Sequence, residues 1–131
     1  MRLRLARHPN RLSAQHPILI EEMLVLEAAG KQAAVSAMLE MLKDLHENGT
    51  NSRFCWKLKG SPIWELKTAS RGGEKGGARV YLFMLGQHDA GVVNCEVKAG
   101  DSTDVEKLRA VLEVVIAYRA GIPVFEEPGD G

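Results

Sequence analysis

The chain has little of three features that often define a protein's class: net charge, cysteine and long apolar runs. Its 17 Lys and Arg residues balance 17 Asp and Glu residues, which argues against a protein that coats nucleic acid by bulk electrostatic attraction. The two cysteines, Cys55 and Cys95, show no CxxC or Cys/His spacing, so we expect reduced structural residues and no disulfide or metal site. No apolar run is long enough to span a bilayer, and we expect no membrane association.

The basic N-terminus does not have the pattern of a secretion signal. Glu21 and Glu22 interrupt the apolar residues 18–20, and no small-residue cleavage site follows. We therefore expect a cytoplasmic protein. The length of 131 residues suits one domain, which we place at residues 1–121, followed by an acidic tail at 122–131 that we expect to be poorly ordered.

Apolar periodicity predicts an α+β fold. Residues 20–45 have helical spacing with a break at Gly30, and Asn48-Gly49 is a typical helix end, so we expect a helical pair. Strands are predicted at residues 63–68, 79–85 and 92–98, with a short extended segment at 54–58 and a marginal first strand at Leu3 and Leu5. The expected sheet is small and antiparallel, with three to four strands and helices packed on one face.

A C-terminal helix is expected from about Asp104 to Ala120. Ser102 or Thr103 can cap it, with Glu106 completing a capping box after Thr103. Its apolar residues predict a buried stripe, and its members are Val105, Leu108, Leu112, Val115 and Ile116.

Cations concentrate in one part of the neutral chain. Between residues 53 and 79 only Glu65 and Glu74 oppose them, and the cations are Arg53, Lys57, Lys59, Lys67, Arg71, Lys75 and Arg79. Strand alternation places Lys67 with Glu65 on one face, and Arg79 with Tyr81 on one face. We predict that Arg79, Lys67 and Lys59 share a face of the sheet, where they would suit a polyanion.

The element order and several short motifs resemble the RelE/HigB-like toxins, and the phage-derived HigB-like branch in particular. The likeness runs from about residue 22 to about residue 119, and the segments that carry it are Lys57-Leu58-Lys59-Gly60, Ile63-Trp64-Glu65-Leu66-Lys67, Arg79-Val80-Tyr81 and Val97-Lys98. The resemblance implies a RelE-like fold and a toxin of a type II toxin-antitoxin system. Such toxins are metal-independent endoribonucleases that cut mRNA, often on the ribosome, and are silenced by a helix-turn-helix or ribbon antitoxin. The resemblance does not imply a cofactor. It leaves the oligomeric state open, and a homodimer is one of the possibilities.

The resemblance also implies site residues. Arg79, Lys67 and Tyr81 are the candidate catalytic residues, and the candidate RNA-binding residues are Lys57, Lys59, Arg71 and Lys98. Arginine suits the phosphorane because its planar fork holds two phosphate oxygens and stays charged. Two departures weaken the match: Lys67 stands where arginine is more usual, and Lys98 is followed by Ala99 where a second lysine is common.

A second reading is a binding module of the same fold that has lost cleavage and keeps RNA or protein binding. Neutral charge and the two departures favour it, as does the lack of a histidine that the sequence places in the basic region. Trp56 and Trp64 are both candidates for stacking on bases, although the alternation places Trp64 in the core. The glycines of residues 72–77 lack the order of a phosphate-binding loop and indicate a flexible connector.

Overall fold

A five-stranded mixed sheet organises the chain, in a computed structural model that describes residues 1–68, 77–98 and 104–125. The elements are, in chain order, β1 (Arg2–Leu5), α1 (Ile18–Ala28), α2 (Gln32–Asn48), β2 (Cys55–Lys57), β3 (Ile63–Lys67), β4 (Ala78–Met84), β5 (Asp89–Val97) and α3 (Val105–Arg119). The strand order is β1-β5-β4-β3-β2. β1 lies parallel to β5 and the other pairs are antiparallel.

The α+β class is confirmed, but the expected sheet was wrong in strand count and type. The segment predicted as short and extended forms a three-residue edge strand, β2, and the marginal first strand forms β1, so both add to the strand count. β1 makes the sheet mixed because it pairs in parallel with β5. A parallel pairing of this kind joins residues that are far apart in the chain, and the sequence of a four-residue strand does not show which strand it pairs with.

Helices cover both faces of the sheet, whereas one covered face was expected. α1 and α2 pack on the face that carries Val80 and Leu82 of β4. α3 packs on the opposite face, which carries Tyr81 and Phe83. A central strand with large apolar residues on both faces is stable only when both are removed from water, so the fold has three layers.

The helical pair is confirmed. α1 and α2 are separated by Gly30, whose φ of 81° is a left-handed conformation that glycine adopts without strain. α2 ends at Asn48, and Gly49 follows with a φ of 59°. Among the described residues no helix is long and apolar enough to cross a membrane.

α3 begins as expected but buries only part of the expected stripe. The side chain of Asp104 accepts a hydrogen bond from the backbone N–H of Glu106 at 2.9 Å, while Ser102 and Thr103 lie outside the described residues. Val115 of the predicted stripe is buried and Leu108 is partly buried, but Val105, Leu112 and Ile116 are exposed. The other buried residues of α3 are Val111, Val114 and Ala117. The helix is apolar on several sides, so its packing against Tyr81 and Phe83 of the sheet, and not its own periodicity, selects the buried side.

The packed chain reaches Phe125, beyond the predicted end of the domain at 121. Val124 is buried, Phe125 packs against Phe83, and Ala6 forms an antiparallel bridge with Phe125. The expectation of a poorly ordered tail was therefore wrong for residues 122–125. Residues 126–131 and the glycines of the connector at 72–76 lie outside the described residues.

Candidate functional site: a polar cluster on the α3 face of the sheet

Three adjacent strands bring polar side chains together on the face of the sheet that α3 partly covers. Lys67 of β3 lies opposite Arg79 of β4, and Arg79 lies opposite Glu96 of β5. Residues directly opposite each other in antiparallel strands share a face, so these side chains form a row across the sheet. With their neighbours they make up the polar cluster, whose members are Glu65, Lys67, Arg79, Tyr81, Glu96 and Lys98.

Glu65 contacts both Arg79 and Lys67, the two cations that the sequence identifies as catalytic candidates. Its side chain is 5% exposed, and its Oε2 accepts a hydrogen bond from Nη1 of Arg79 at 3.0 Å. Its Oε1 lies 3.8 Å from Nζ of Lys67. A buried carboxylate is stable only with such partners, so Glu65 fixes Arg79 in place and offsets part of its charge.

Glu96 organises the other half of the polar cluster. Its Oε2 accepts a hydrogen bond from the Tyr81 hydroxyl at 3.0 Å, and its Oε1 lies 3.9 Å from Nζ of Lys98. Burial raises the pKa of the Tyr81 phenol, and the neighbouring Glu96 charge adds to this effect. Tyr81 is fully buried and stays a hydrogen-bond donor, so its ring is not available to stack on a base.

Lys98 is a buried cation with incomplete partners. Its side chain is 4% exposed, and its Nζ has no hydrogen-bond acceptor among the described residues. Burial lowers the Lys98 pKa, the Glu96 charge opposes this, and Arg79 lowers the pKa further. The ammonium is thus shifted toward the neutral amine, the direction required of a lysine that exchanges protons.

Trp56 presents an exposed aromatic surface beside the cations. It lies opposite Glu65 across the β2–β3 pair, which puts it on the same face, and it is 54% exposed. Nζ of Lys67 lies 5.2 Å from its ring centroid, within the range of a cation–π interaction. Trp64 points to the opposite face and packs on the core under α1 and α2, as its alternation predicts.

The structure brings together some predicted site residues and separates others. Arg79, Lys67, Tyr81 and Lys98 all belong to the polar cluster. The residues outside it fall into two groups, one placed elsewhere in the fold and one outside the described residues.

Lys57 lies opposite Trp64, on the face of the sheet away from Arg79. Lys59 sits in the turn between β2 and β3, at the other end of β3 from Lys67, so the prediction that it joins Arg79 and Lys67 was wrong. Arg71 lies outside the described residues.

Sequence reasoning missed the two carboxylates that organise the polar cluster. Glu65 lies two residues before Lys67 in the same strand and therefore on the same face, so strand alternation could have identified it as a neighbour of Lys67. Glu96 carried no comparable signal, because its place beside Tyr81 depends on the β4–β5 register, which contains a bulge between Tyr81 and Leu82.

The remaining reactive side chains lie apart from the polar cluster. Cys55 and Cys95 are free thiols in this structure, and burial raises the pKa of Cys55 to about 11 and that of Cys95 to about 12. His8 is 3.5 Å from Glu113, and His46 contacts the backbone of Met1. The described residues contain no group of His, Cys, Asp and Glu side chains arranged to hold a metal ion.

The comparisons with known proteins assign no family to this arrangement. No family model matches the chain, and no curated protein matches it significantly. Its function is therefore argued from the polar cluster.

Proposed function

We propose that this protein is a RelE/HigB-like toxin of a type II toxin-antitoxin system, a metal-independent endoribonuclease that binds mRNA at the polar cluster. The observation that carries the proposal is the convergence of Lys67 from β3, Arg79 from β4 and Lys98, which directly follows β5, on the sheet face that also carries the exposed indole of Trp56. Proteins commonly bind single-stranded RNA with cations that contact phosphates and with an adjacent aromatic side chain that stacks on a base.

Lys67 and Trp56 are the groups that RNA meets first, because they are the most exposed. In the proposal a base stacks on Trp56 and the adjoining phosphate contacts Lys67. Arg79 then receives the reacting phosphate. Its guanidinium has five N–H donors and the bond to Glu65 uses one of them, so Glu65 orients the group while other donors remain for phosphate oxygens.

The proposed reaction is attack of the RNA 2′-oxygen on the adjacent phosphorus. A bond forms between the 2′-oxygen and phosphorus, the bond to the 5′-oxygen breaks, and the products are a 2′,3′-cyclic phosphate and a 5′-hydroxyl. One proton leaves the 2′-oxygen and one arrives at the 5′-oxygen, so no other reactant is consumed. We assign charge stabilisation to Arg79, and proton exchange between the 2′- and 5′-oxygens to Lys98, since burial lowers its pKa; this role requires that the buried Nζ of Lys98 becomes accessible when RNA binds.

Cleavage of a defined single-stranded RNA, with and without ribosomes and in the presence of EDTA, tests this proposal. Wild-type protein should produce 2′,3′-cyclic phosphate ends, and Arg79→Lys should retain only part of the rate because a point charge cannot reproduce the fork. Arg109→Lys is the matched control, since Arg109 pairs with Glu106 on the exposed surface of α3.

The proposal also implies a partner and a cellular effect. Inducing expression of this protein in the cytoplasm of a bacterial host should arrest cell growth. Coexpression of a small helix-turn-helix protein, encoded by a gene beside the one for this chain, should relieve the arrest. An absent neighbour of that kind, together with unchanged growth, would contradict the toxin assignment even if RNA binds.

A second candidate is an RNA-binding module of the same fold without cleavage. The observation that favours it is the engagement of both Arg79 and Lys67 by the buried Glu65 carboxylate, which already offsets the charge that a phosphorane would need. This module would bind single-stranded RNA at Trp56 and release it uncut.

A further inference from the structure

The β5 strand has an open half. β1 pairs with β5 only along Asp89–Val92, and the chain then turns away, since Ala6 bridges to Phe125. β5 continues to Val97, and among the described residues no strand pairs with that side of it beyond Val92. The open half of β5 is defined here as Val93–Val97 on its β1 side.

A side chain occupies the place of the missing strand. The backbone N–H of Cys95 donates a hydrogen bond to Oε1 of Glu22 at 2.9 Å, where a neighbouring strand would supply a carbonyl oxygen. The N–H of Val97, two residues on, is directed to the same side. The other oxygen of Glu22 accepts a hydrogen bond from Nζ of Lys107, so a partly exposed ion pair joins α1 to α3 across this edge.

Clefts lie along the edge on both sides of that ion pair. One has a volume of about 410 Å³ and is lined by Val25, Leu26 and Cys95, among others. The other has a volume of about 610 Å³ and is lined in part by Ile18 and Asn94. Glu22 and Lys107 line both clefts, so opening the ion pair would merge them into one groove.

Asn94 supplies a second and independent indication of a ligand. Its side chain is 1% exposed, and its Nδ2 donates to the backbone oxygen of Lys107 at 3.1 Å. Its Oδ1 is buried without a hydrogen-bond partner among the described residues. A buried acceptor left unpaired is unfavourable, and a donor from a molecule in the adjoining cleft would satisfy it.

The charge of the groove selects its occupant. Carboxylates line the clefts at Glu21, Glu22, Asp104 and Glu106, against the cations Arg11 and Lys107. α1 and α3 pack on opposite faces of the sheet, so an extended chain suits the edge between them better than a folded surface does. We propose that the open half of β5 binds an extended basic segment of a partner protein, which displaces Glu22 from Cys95 and adds to the sheet as a short strand.

This inference is independent of RNA cleavage and can be tested without it. The probe is a blocked pentapeptide of alternating lysine and valine, titrated into the ¹⁵N-labelled full-length protein. We expect saturable shifts of the Cys95 and Val97 amides and slower hydrogen exchange at Val97. A glutamate–valine peptide of equal length should leave both amides unchanged.

A methylated peptide separates strand addition from simple charge attraction. Methyl groups on alternate backbone nitrogens of the lysine–valine peptide keep its charge and remove its ladder hydrogen bonds, so binding should be lost. Equal binding of the methylated peptide would overturn strand addition, and an absence of saturable shifts with the unmethylated peptide would overturn the site.

Two variants test the ion pair that closes the groove. Lys107→Gln removes its cation and should tighten binding of the lysine–valine peptide about two- to fivefold. Lys43→Gln, an exposed substitution on α2 outside the clefts, should leave the affinity unchanged. Equal affinities for both variants, each shown to be folded by circular dichroism, would refute the role of the Glu22–Lys107 pair.

Discussion

Replacing Arg79 by alanine removes the cation that lies 3.0 Å from the buried carboxylate of Glu65. Breaking a buried ion pair by deleting one partner typically costs about 3–5 kcal/mol, because the other charge is left without compensation. Lys67, at 3.8 Å from Glu65, keeps part of that compensation, so we expect about 3 kcal/mol for Arg79→Ala.

Urea unfolding followed by circular dichroism measures the effect. With a slope near 2 kcal/mol per molar urea, a loss of about 3 kcal/mol moves the midpoint down by about 1.5 M. Arg109→Ala is the control, since its exposed pair with Glu106 should contribute less than about 1 kcal/mol.

The double variant Glu65→Gln/Arg79→Gln makes the test specific. It removes both charges and keeps a polar side chain at each position, Glu65→Gln with the same size and Arg79→Gln with a shorter chain, so its free energy of unfolding should lie within about 1 kcal/mol of wild type. The coupling energy of the cycle should exceed about 1 kcal/mol. If Glu65→Gln and Arg79→Gln destabilise additively, or if Arg79→Ala is neutral, the buried-pair reasoning is refuted.

Three further predictions concern the core, the aromatic surface and the buried lysine. Val111→Ala should lower the free energy of unfolding by about 2 kcal/mol and Leu112→Ala by less than about 1 kcal/mol, because only Val111 is buried. Equal urea midpoints for the two variants would contradict the burial of Val111 between α3 and the sheet. In a Trp64→Phe background, single-stranded RNA should quench Trp56 fluorescence, and Trp56→Ala should weaken RNA binding by about 1–3 kcal/mol; unchanged emission would remove the stacking role. The pKa of Lys98 is lower in the folded protein than in the unfolded chain, so the unfolded chain binds more protons at this residue and the wild-type protein gains stability as the pH rises toward 10.5. Urea midpoints measured at pH 7 and pH 10 should show this gain for wild type and not for Lys98→Met.

Local signals predicted much of the helical structure. The bounds of the helical pair follow from helical spacing, Gly30 and the Asn48-Gly49 end, all of which act within a few residues. The buried side of α3 was predicted only in part: Val115 is buried as expected, but Val111 was missed in favour of Leu112, because both residues are apolar and only packing against the sheet decides which is buried. The parallel β1–β5 pairing was missed because it joins the N-terminal strand to Asp89–Val92, far away in the chain, through backbone groups that every residue carries.

The polar cluster was predicted in part for similar reasons. Strand alternation placed Lys67 and Arg79 correctly on one face, and the register then set them directly opposite each other. The burial of Lys98 and its approach to Glu96 depend on how β4, β5 and α3 pack. Alternation alone therefore identified cations on a sheet face without showing that two carboxylates already hold them.

The most direct test of the proposed function is end mapping of a single-stranded RNA incubated with the protein in EDTA, with and without ribosomes. Wild type should generate 2′,3′-cyclic phosphate and 5′-hydroxyl ends. The double variant Glu65→Gln/Arg79→Gln, once shown to be folded, should cut about 10²–10³-fold more slowly, the effect of losing one group that stabilises transition-state charge. Arg109→Lys should cut as wild type does. Intact RNA in both conditions with folded wild-type protein, or equal cleavage by the double variant, would contradict an endoribonuclease centred on Arg79.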